Sequence, residues 1–317
     1  MLMNGQWSAK WDPVQQKDER GRFIRQSSAF TGGLSAEEVE SGRYRLCVAY
    51  ICPWACRTLI ARSLLGLEAH IPLSVVEPVL TDSGWRFASE QGAEYPGATG
   101  SGITGVEYMH QLYTATEPAY TGRATVPVLW DQREGRIVNN ESADILRLLN
   151  EAFRPLHGGD LNLCPDALKP EIDQFNERIY QRFNNGVYRA GFASSQQAYA
   201  EALDDVFTTL NWLETHFRQQ AFAVGDQLTE SDIRLFVTLV RFDPAYYGLF
   251  KTNLHQIGNY PSVSAYLERL LQIPAFAKNT RIDHIKAGYY SIKALNPNGI
   301  VPAGPQLPWF RWLQEGV

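Results

Sequence analysis

A cysteine stands where a strand-like segment gives way to a helical one. Residues 44–50 show the two-residue apolar period of a strand, and Cys52 and Pro53 follow closely. Proline fits the first position of a helix, so Cys52 is predicted to lie at a helix N-terminus. The unpaired N–H groups there carry about half a positive charge, which favours a thiolate over a thiol. We expect Cys52 to have a lowered pKa and to attack sulfur, although most free cysteines are only small buried side chains.

A second signal is Thr125-Val126-Pro127 at the start of a short strand. Because proline has no N–H to donate to a neighbouring strand, it is confined to strand starts, bulges and sheet edges. If the Val126–Pro127 bond is cis, Val126 turns its backbone N–H and C=O outwards, towards a peptide ligand. Only about 5–6% of X–Pro bonds are cis, so a trans proline at a sheet edge stays open as the alternative.

The third signal is Glu141-Ser142, which precedes a helical segment. A hydroxyl and free N–H groups at a helix N-terminus bind carboxylates, and a glutamate there can instead pair with an α-ammonium. Plain capping of the helix is the alternative for this element taken alone. Together, a thiolate, an exposed backbone edge and a site for ammonium and carboxylate groups would fit a small peptide that carries a thiol.

These candidates lie in a pattern of strand, helix and strand. Residues 44–50 and 71–76 read as strands on either side of a helix that Gly66 is placed to end, which favours a parallel βαβ unit. A long connector over 77–124 follows. The remaining predicted elements are a helix over 106–115, strands over 126–130 and 136–138, and a helix over 143–150.

From about residue 165 the apolar period becomes helical. Thr229-Glu230-Ser231-Asp232 has the pattern of a capping box, with aspartate in place of the usual glutamate. Residues 284–317 are rich in glycine, proline and aromatic residues and are expected to be extended. Predicted helices cover 168–183, 199–217, 233–242 and 263–271. The predicted organisation is an extended N-terminal arm over 1–43, an α/β domain over 44–152, an all-helical domain over 165–283 and a C-terminal tail over 284–317.

Composition excludes several classes of protein. The 317 residues are 44% hydrophobic and 20% charged, which is typical of a globular protein with a sizeable core. The net charge of −5 leaves no basic field for a nucleic acid, and no apolar run approaches the roughly 18–20 residues of a membrane helix. Four cysteines are too few for a disulfide scaffold. A metal site of Cys52, Cys56 and a histidine is disfavoured because the sequence has no second paired-ligand motif. Since the N-terminus lacks the apolar core of a signal peptide, we expect a cytoplasmic protein. We also expect that it binds no metal.

The chemistry-bearing segments resemble those of a known family. Cys52-Pro53 after the first strand, Val126-Pro127 before the third and Glu141-Ser142 before the next helix are similar to the thioredoxin-like half of glutathione transferases. More narrowly, the chain resembles the glutathionyl-hydroquinone reductases of the Xi class, over about residues 22 to 304. The ordered matching stretches include Cys52-Pro53-Trp54-Ala55, Ser83-Gly84-Trp85, Tyr95-Pro96-Gly97-Ala98-Thr99-Gly100, Asn185-Gly186-Val187-Tyr188, Leu239-Val240-Arg241-Phe242-Asp243-Pro244, Asp283-His284-Ile285 and Asn296-Pro297-Asn298-Gly299-Ile300.

The resemblance implies a fold, an activity and roles for named residues. The fold is an α/β thioredoxin-like N-terminal domain plus an all-α C-terminal domain. The activity is the reduction of glutathionyl-hydroquinones, with glutathione as co-substrate and a homodimer as the assembly. Cys52 would be the nucleophile and Tyr188 the proton donor, while Tyr246 and Tyr289 would direct hydroxyls at the Cys52 sulfur. The residues implied to bind glutathione are Trp85, Arg123, Ala124, Thr125, Val126, Glu141 and Ser142.

One residue departs from the family pattern, in which histidine is expected at position 56. This chain has Cys56, and the i, i+4 spacing from Cys52 allows two thiols on one helix face. Cys56 is either a resolving thiol or a small residue in place of histidine, and the second interpretation is favoured.

Two other functions compete with the reductase. An omega-like thioltransferase or dehydroascorbate reductase would use the same cysteine but would have no need of the three tyrosines. A non-catalytic binding module on the same fold would have no need of a thiol at position 52.

Overall fold

The computed structural model describes residues 1–9 and 16–314. The chain divides into two compact units. Unit 1 comprises Met1–Asp12, Ser27–Leu161 and Asp283–Ser291. Unit 2 comprises Pro13–Gln26, Asn162–Ile282 and Ile292–Val317.

The described residues form short strands and a larger number of helices. The strands are β1 (Leu2–Met3), β2 (Gln6–Trp7), β3 (Tyr44–Val48), β4 (Leu73–Val75), β5 (Val128–Asp131) and β6 (Arg136–Asn139). The α-helices are α1 (Pro53–Leu64), α2 (Met109–Thr116), α3 (Ser142–Glu151), α4 (Lys169–Ile179), α5 (Gly186–Gly191), α6 (Gln196–Phe217), α7 (Glu230–Arg241), α8 (Tyr247–Leu249), α9 (Pro261–Leu271), α10 (Pro274–Ala277), α11 (Ile282–Tyr290) and α12 (Arg311–Gln314). Two π-helical turns cover Tyr180–Asn184 and Phe242–Tyr246.

Unit 1 is built on a four-stranded sheet in the order β4-β3-β5-β6. Strand β3 is parallel to β4, with Leu46 opposite Leu73, and antiparallel to β5, with Leu46 opposite Leu129. The predicted βαβ unit is therefore confirmed. Leu46 and Leu129 are fully buried, and each such side chain contributes roughly 1.5–3 kcal/mol to folding. Helices α1 and α3 pack against each other beside this sheet.

Helix α1 begins and ends where local sequence signals place its limits. Pro53 occupies its first position and Cys52 is the residue that caps it. After the helix, Gly66 has a φ of 69°, a left-handed conformation that glycine adopts without strain. A Cβ at this position would also lie 3.0 Å from the backbone of Gly158, so the close approach needs a glycine.

The N-terminal arm is attached to both units by backbone hydrogen bonds. In unit 1, Leu2 exchanges two hydrogen bonds with Gly122, at 2.9 and 3.0 Å, and residues 30–32 run beside the end of β6. In unit 2, the N–H of Ser194 donates to the carbonyl of Gly21 at 3.0 Å, and Arg22 forms a 2.7 Å ion pair with Glu201. The arm therefore contributes contacts to each unit separately.

Unit 2 is helical, and its long helices fall where the apolar periods predict them. Helix α6 packs against α5 and α9. Helix α7 opens with the predicted capping box, because Asp232 accepts hydrogen bonds from the backbone N–H and the hydroxyl of Thr229. Burial raises the pKa of the Asp232 carboxyl, although Tyr266 and two backbone N–H groups donate to it. None of the helices in the described ranges has the length and apolar character needed to span a membrane.

The expectation that residues 284–317 are extended is wrong for their first part. Helix α11 covers Ile282–Tyr290, and it belongs to unit 1. Its buried residues are His284, Ile285, Gly288 and Tyr289, which recur at helical spacing. Because only one of the four is aliphatic, the stripe escapes a search for aliphatic periodicity.

Candidate active site

Cys52 lies at the N-terminus of α1, as the sequence predicts. Its backbone is extended, and its carbonyl accepts the first helical hydrogen bond from the N–H of Cys56 at 3.0 Å. The Cys52 thiol donates to the carbonyl of Val126 at 3.6 Å. Of the four cysteines, Cys52 is the one that is not fully buried. A cysteine that is only half-buried at a helix N-terminus is in the environment in which a thiolate forms readily and reacts.

The other cysteines are placed differently. Burial raises the pKa of the Cys47 thiol to about 12. Cys56 is 1% exposed, and its thiol donates to the backbone carbonyl of Tyr50 at 3.3 Å. Cys164 is also buried. The hydrogen bond of Cys56 to the backbone favours its interpretation as a small structural residue rather than a resolving thiol.

The segment before Pro127 carries backbone groups beside the Cys52 sulfur. The Val126–Pro127 bond is cis, which decides between the two alternatives that the sequence leaves open. Arg123, Ala124 and Thr125 are half-buried, and Val126 is buried. The structure therefore places Val126 in contact with Cys52 and brings the preceding residues to the same edge of unit 1.

Glu141 and Ser142 lie at the N-terminus of α3. Glu141 is the capping residue, and one of its carboxylate oxygens accepts from the N–H of Ala143 at 3.2 Å. The Arg57 guanidinium, which is buried and stacked 4.4 Å over the Trp54 ring, lies 3.5 Å from the Ser142 hydroxyl. A carboxylate, a hydroxyl and a buried cation thus share one helix end, which suits the ammonium and carboxylate of an amino-acid group.

Ser28 adds a contact that sequence reasoning missed. Its hydroxyl donates to the second carboxylate oxygen of Glu141 at 2.8 Å. The neighbouring Phe30 exchanges backbone and side-chain hydrogen bonds with Asn140, at 2.8 and 2.9 Å. The arm therefore fixes the orientation of Glu141, and no local signal marks Ser28 because its partner lies 113 positions away.

Tyr113 is the second residue that the sequence did not single out. Its side chain is fully buried, and its hydroxyl lies within hydrogen-bond distance of Thr125 and Asn140. These partners immediately precede Val126 and Glu141 in the chain. In the sequence, Tyr113 is one of 15 tyrosines without a distinguishing neighbour.

Trp85 follows a tight turn in the connector between β4 and α2. The turn is closed by two backbone hydrogen bonds between Thr81 and Gly84, at 2.9 and 3.1 Å. The carbonyl of Trp85 accepts from the N–H of Met109 at 3.0 Å, and its side chain is half-buried. Trp85 therefore belongs to unit 1, as do the other residues implied to bind glutathione.

Tyr289 belongs to the same unit as Cys52, although it lies far away in sequence. Helix α11 is held in unit 1 by His284, whose ring nitrogen lies 2.9 Å from the carbonyl of Pro96. Gly288 packs closely on Ile51, because a Cβ there would lie 2.2 Å from the Ile51 side chain. Since Ile51 directly precedes Cys52, this contact positions Tyr289 relative to the cysteine segment.

Tyr188 and Tyr246 lie together in unit 2. Their ring centroids are 5.9 Å apart, and Phe250 packs against both rings. Tyr246 is fully buried and Tyr188 is half-buried. The Arg25 guanidinium stacks 4.6 Å from the centroid of the Tyr188 ring. The helical unit therefore joins two of the three implied tyrosines in one aromatic cluster.

Comparisons with known proteins agree with this geometry. The family model for the N-terminal domain of glutathione S-transferase matches residues 51–152, and the model for the C-terminal domain matches residues 196–269. The chain belongs to the glutathione S-transferase family. It is 46% identical to the glutathionyl-hydroquinone reductase PcpF of Sphingobium chlorophenolicum, over 97% of each chain.

Comparison with solved structures identifies the class within this family. The chain matches the Xi glutathione S-transferase of Phanerochaete chrysosporium with a TM-score of 0.89 and 41% identity, over 93% of this chain and 98% of that one. It matches the glutathione-bound structure of YqjG from Escherichia coli with a TM-score of 0.87 and 41% identity, over 98% and 97% of the two chains. The resemblance to the Xi-class glutathionyl-hydroquinone reductases, and the fold that it implies, are confirmed.

Within the described ranges, no group of three or more His, Cys, Asp or Glu side chains is arranged to hold a metal ion.

Proposed function

We propose that this protein reduces glutathionyl-hydroquinones to hydroquinones, with glutathione as the reductant and Cys52 as the nucleophile. The observation that supports this proposal most directly is the half-buried Cys52 at the N-terminus of α1, with its sulfur 3.6 Å from the backbone carbonyl of Val126. The relative at 46% identity carries the name of this activity.

The reaction proceeds in two steps. In the first, the Cys52 thiolate attacks the sulfur that joins glutathione to the aromatic ring, and the carbon–sulfur bond breaks. The electron pair of that bond goes to the ring carbon, which takes a proton, so the ring leaves as the hydroquinone. Cys52 and glutathione are left as a mixed disulfide. In the second step, a second glutathione thiolate attacks the sulfur of the bound glutathione, releasing glutathione disulfide and the Cys52 thiolate.

Glutathione binding falls to residues of unit 1. The backbone of Val126 pairs with the peptide, and Arg123, Ala124 and Thr125 line the same edge. Glu141 and Ser142 hold the γ-glutamyl end, because a carboxylate pairs with the α-ammonium and a hydroxyl at a helix N-terminus binds the α-carboxylate. Trp85 lies against the bound glutathione.

The three tyrosines supply protons and hydrogen bonds. Tyr188 donates the proton that the ring carbon takes, and the Arg25 guanidinium 4.6 Å from the Tyr188 ring centroid favours the negative charge left on the phenol oxygen. The family resemblance implies that Tyr246 and Tyr289 donate to the Cys52 sulfur and help to keep it ionised. The support for Tyr289 is its position next to Gly288, which packs on the residue before Cys52.

Separate replacement of Cys52, which caps α1, and of Cys56, which lies within α1, tests which cysteine is the nucleophile. Cys52→Ala should abolish hydroquinone formation, while glutathione binding measured by calorimetry stays within about twofold of wild type. Cys56→Ala is the matched control, and it should keep turnover because its thiol is bonded to a backbone carbonyl. Substantial turnover by Cys52→Ala would overturn the assignment, and loss of turnover in Cys56→Ala alone would make Cys56 the nucleophile.

The same assay separates the reductase from a thioltransferase. Wild-type protein should turn over a glutathionyl-hydroquinone faster than a glutathione mixed disulfide of a small alkyl thiol. The reverse preference would favour the omega-like thioltransferase. An alkylation rate of Cys52 equal to that of a free cysteine at neutral pH would instead favour a non-catalytic module.

We further propose that the protein is a cytoplasmic homodimer. The cytoplasm keeps the glutathione that the reaction consumes in its thiol form. The dimer is the assembly that the family resemblance implies. Sedimentation at micromolar concentration should give twice the chain mass of 35.7 kDa, and a single species at 35.7 kDa would contradict pairing.

A further inference from the structure

The Tyr113 hydroxyl forms hydrogen bonds to two loops that border the proposed glutathione site. It lies 3.1 Å from the backbone nitrogen of Thr125 and 2.9 Å from the backbone oxygen of the same residue. It also lies 3.1 Å from the Thr125 hydroxyl and 3.0 Å from the side-chain nitrogen of Asn140. Its own side chain is fully buried on α2.

These contacts use all of the bonding capacity of a phenol. A tyrosine hydroxyl has one proton to donate and two lone pairs with which to accept. The N–H of Thr125 and the amide of Asn140 fill the lone pairs, and the proton goes to the backbone carbonyl of Thr125 at 2.9 Å. Burial raises the pKa of Tyr113, so the proton stays in place throughout the neutral range. A buried network whose members are all satisfied is rigid, and it holds its partners in one arrangement.

The two partners stand directly before the residues that contact glutathione in the proposed function. Thr125 precedes Val126, whose carbonyl accepts from Cys52. Asn140 precedes Glu141 at the N-terminus of α3. One oxygen atom thus joins the segment that pairs with the peptide backbone to the segment that binds the γ-glutamyl end.

The N-terminal arm extends this network on the side away from Thr125. Asn140 accepts from the backbone N–H of Phe30 at 2.9 Å, and the Phe30 ring packs edge-on against Tyr113 with centroids 5.7 Å apart. Since the Asn140 amide is held by Phe30 on its oxygen side, its nitrogen is directed at Tyr113. The arm therefore fixes the orientation of the amide.

We propose that Tyr113 is a positioning residue for glutathione, whose hydroxyl sets the distance between the Val126 backbone and the Glu141-Ser142 pair. This inference rests on the proposed function of that site. Tyr113 is buried and does not touch the substrate, so it acts through Thr125 and Asn140. Glutathione spans both segments at once, so a change in their spacing weakens its binding before it affects the chemistry at Cys52.

Tyr113→Phe removes the hydroxyl and keeps the ring. We expect it to raise KM for a glutathionyl-hydroquinone about tenfold and to leave kcat within about threefold of wild type, because it removes binding that the ground state and transition state share. The dissociation constant of S-methylglutathione, which cannot react, should rise by the same factor. The alkylation rate of Cys52 should not change, because α1 and its capping residue are untouched.

Tyr44→Phe is the matched control. Tyr44 is also a fully buried tyrosine of unit 1, and its hydroxyl donates to the backbone carbonyl of Glu38 at 2.9 Å. The two variants lose the same atom from similar burial, so a general loss of stability affects both. Only the Tyr113 variant should change KM. Asn140→Ala breaks the same network from its other end, and it should raise KM as Tyr113→Phe does, which provides a test if the tyrosine variant does not fold.

The outcomes separate this inference from the proposed function. If wild type reduces the substrate and neither Tyr113→Phe nor Asn140→Ala changes KM or S-methylglutathione binding, Tyr113 is a packing residue and the inference is wrong. Equal rises in KM in the Tyr113 and Tyr44 variants would also overturn it. If wild type binds S-methylglutathione but reduces no glutathionyl-hydroquinone, the proposed function fails, and weaker binding by Tyr113→Phe would still support the positioning role.

Discussion

Gly288→Ala should disturb the active site because Gly288 of α11 packs on Ile51, the residue before Cys52. A Cβ at residue 288 would lie 2.2 Å from the Ile51 side-chain terminus and 2.6 Å from the backbone carbonyl of Pro78. The end of the Ile51 side chain can rotate away. The Pro78 carbonyl is backbone, and both distances are shorter than protein Cβ contacts show, so α11 has to move by several tenths of an ångström.

The expected cost follows from overpacking of this kind. Insertion of one methyl group into a well-packed region costs about 1–3 kcal/mol. For domains of 150–250 residues, this corresponds to roughly 2–4 °C in melting temperature per kcal/mol. Because Tyr289 is the next residue, the same shift moves its hydroxyl. Misplacement by about 1 Å costs up to about 10²-fold in rate, so a smaller shift should lower kcat/KM by about three- to tenfold.

The assay compares thermal unfolding and turnover of Gly288→Ala with those of Gly33→Ala. Gly33 also lies in unit 1, and a Cβ there would meet no atom within 4 Å, so this variant should behave as wild type. If Gly288→Ala keeps the wild-type melting temperature and kcat/KM, α11 is free to move without consequence. The account of how Tyr289 is positioned would then be refuted.

Two further predictions concern protons. Tyr188→Phe should lower turnover by about 10²-fold, the loss expected for a general acid. Tyr246→Phe and Tyr289→Phe should lower the rate mainly at low pH, where the Cys52 thiolate is harder to form. If all three variants have the pH–rate profile of wild type, the tyrosines are packing residues. Burial raises the pKa of Asp243 to about 6. Because the folded protein therefore holds this proton more tightly than the unfolded chain does, the free energy of unfolding falls as pH rises from about 4 through 6, and it is restored below about pH 4. Asp243→Asn keeps an oxygen for the N–H of Ile257 and should raise stability at pH 7.5 by up to about 3 kcal/mol but have little effect at pH 4; equal melting-temperature changes at both pH values would contradict this reasoning.

Local signals in the sequence were sufficient for the cysteine and for the ends of several helices. Cys52 and Pro53 are adjacent, and the capping box of α7 spans only Thr229 to Asp232. Their geometry depends on interactions between near neighbours in the chain, so residue type and spacing predict it.

Local sequence signals do not predict contacts between segments that are far apart in the chain. Tyr113 meets Thr125 and Asn140 across 12 and 27 positions, and Ser28 meets Glu141 across 113. Helix α11 was missed for a related reason, since Gly288 is conspicuous only once Ile51 is known to lie against it. Only tertiary packing reveals these partners.

The measurement that tests the central claim most directly is a single turnover without free glutathione. Protein mixed with an equimolar glutathionyl-hydroquinone should release one equivalent of hydroquinone and gain the mass of one glutathionyl group. Peptide mapping should place that group on Cys52, and added glutathione should remove it as glutathione disulfide. Release of hydroquinone without an adduct on Cys52, or an adduct on Cys56 instead, would contradict the account.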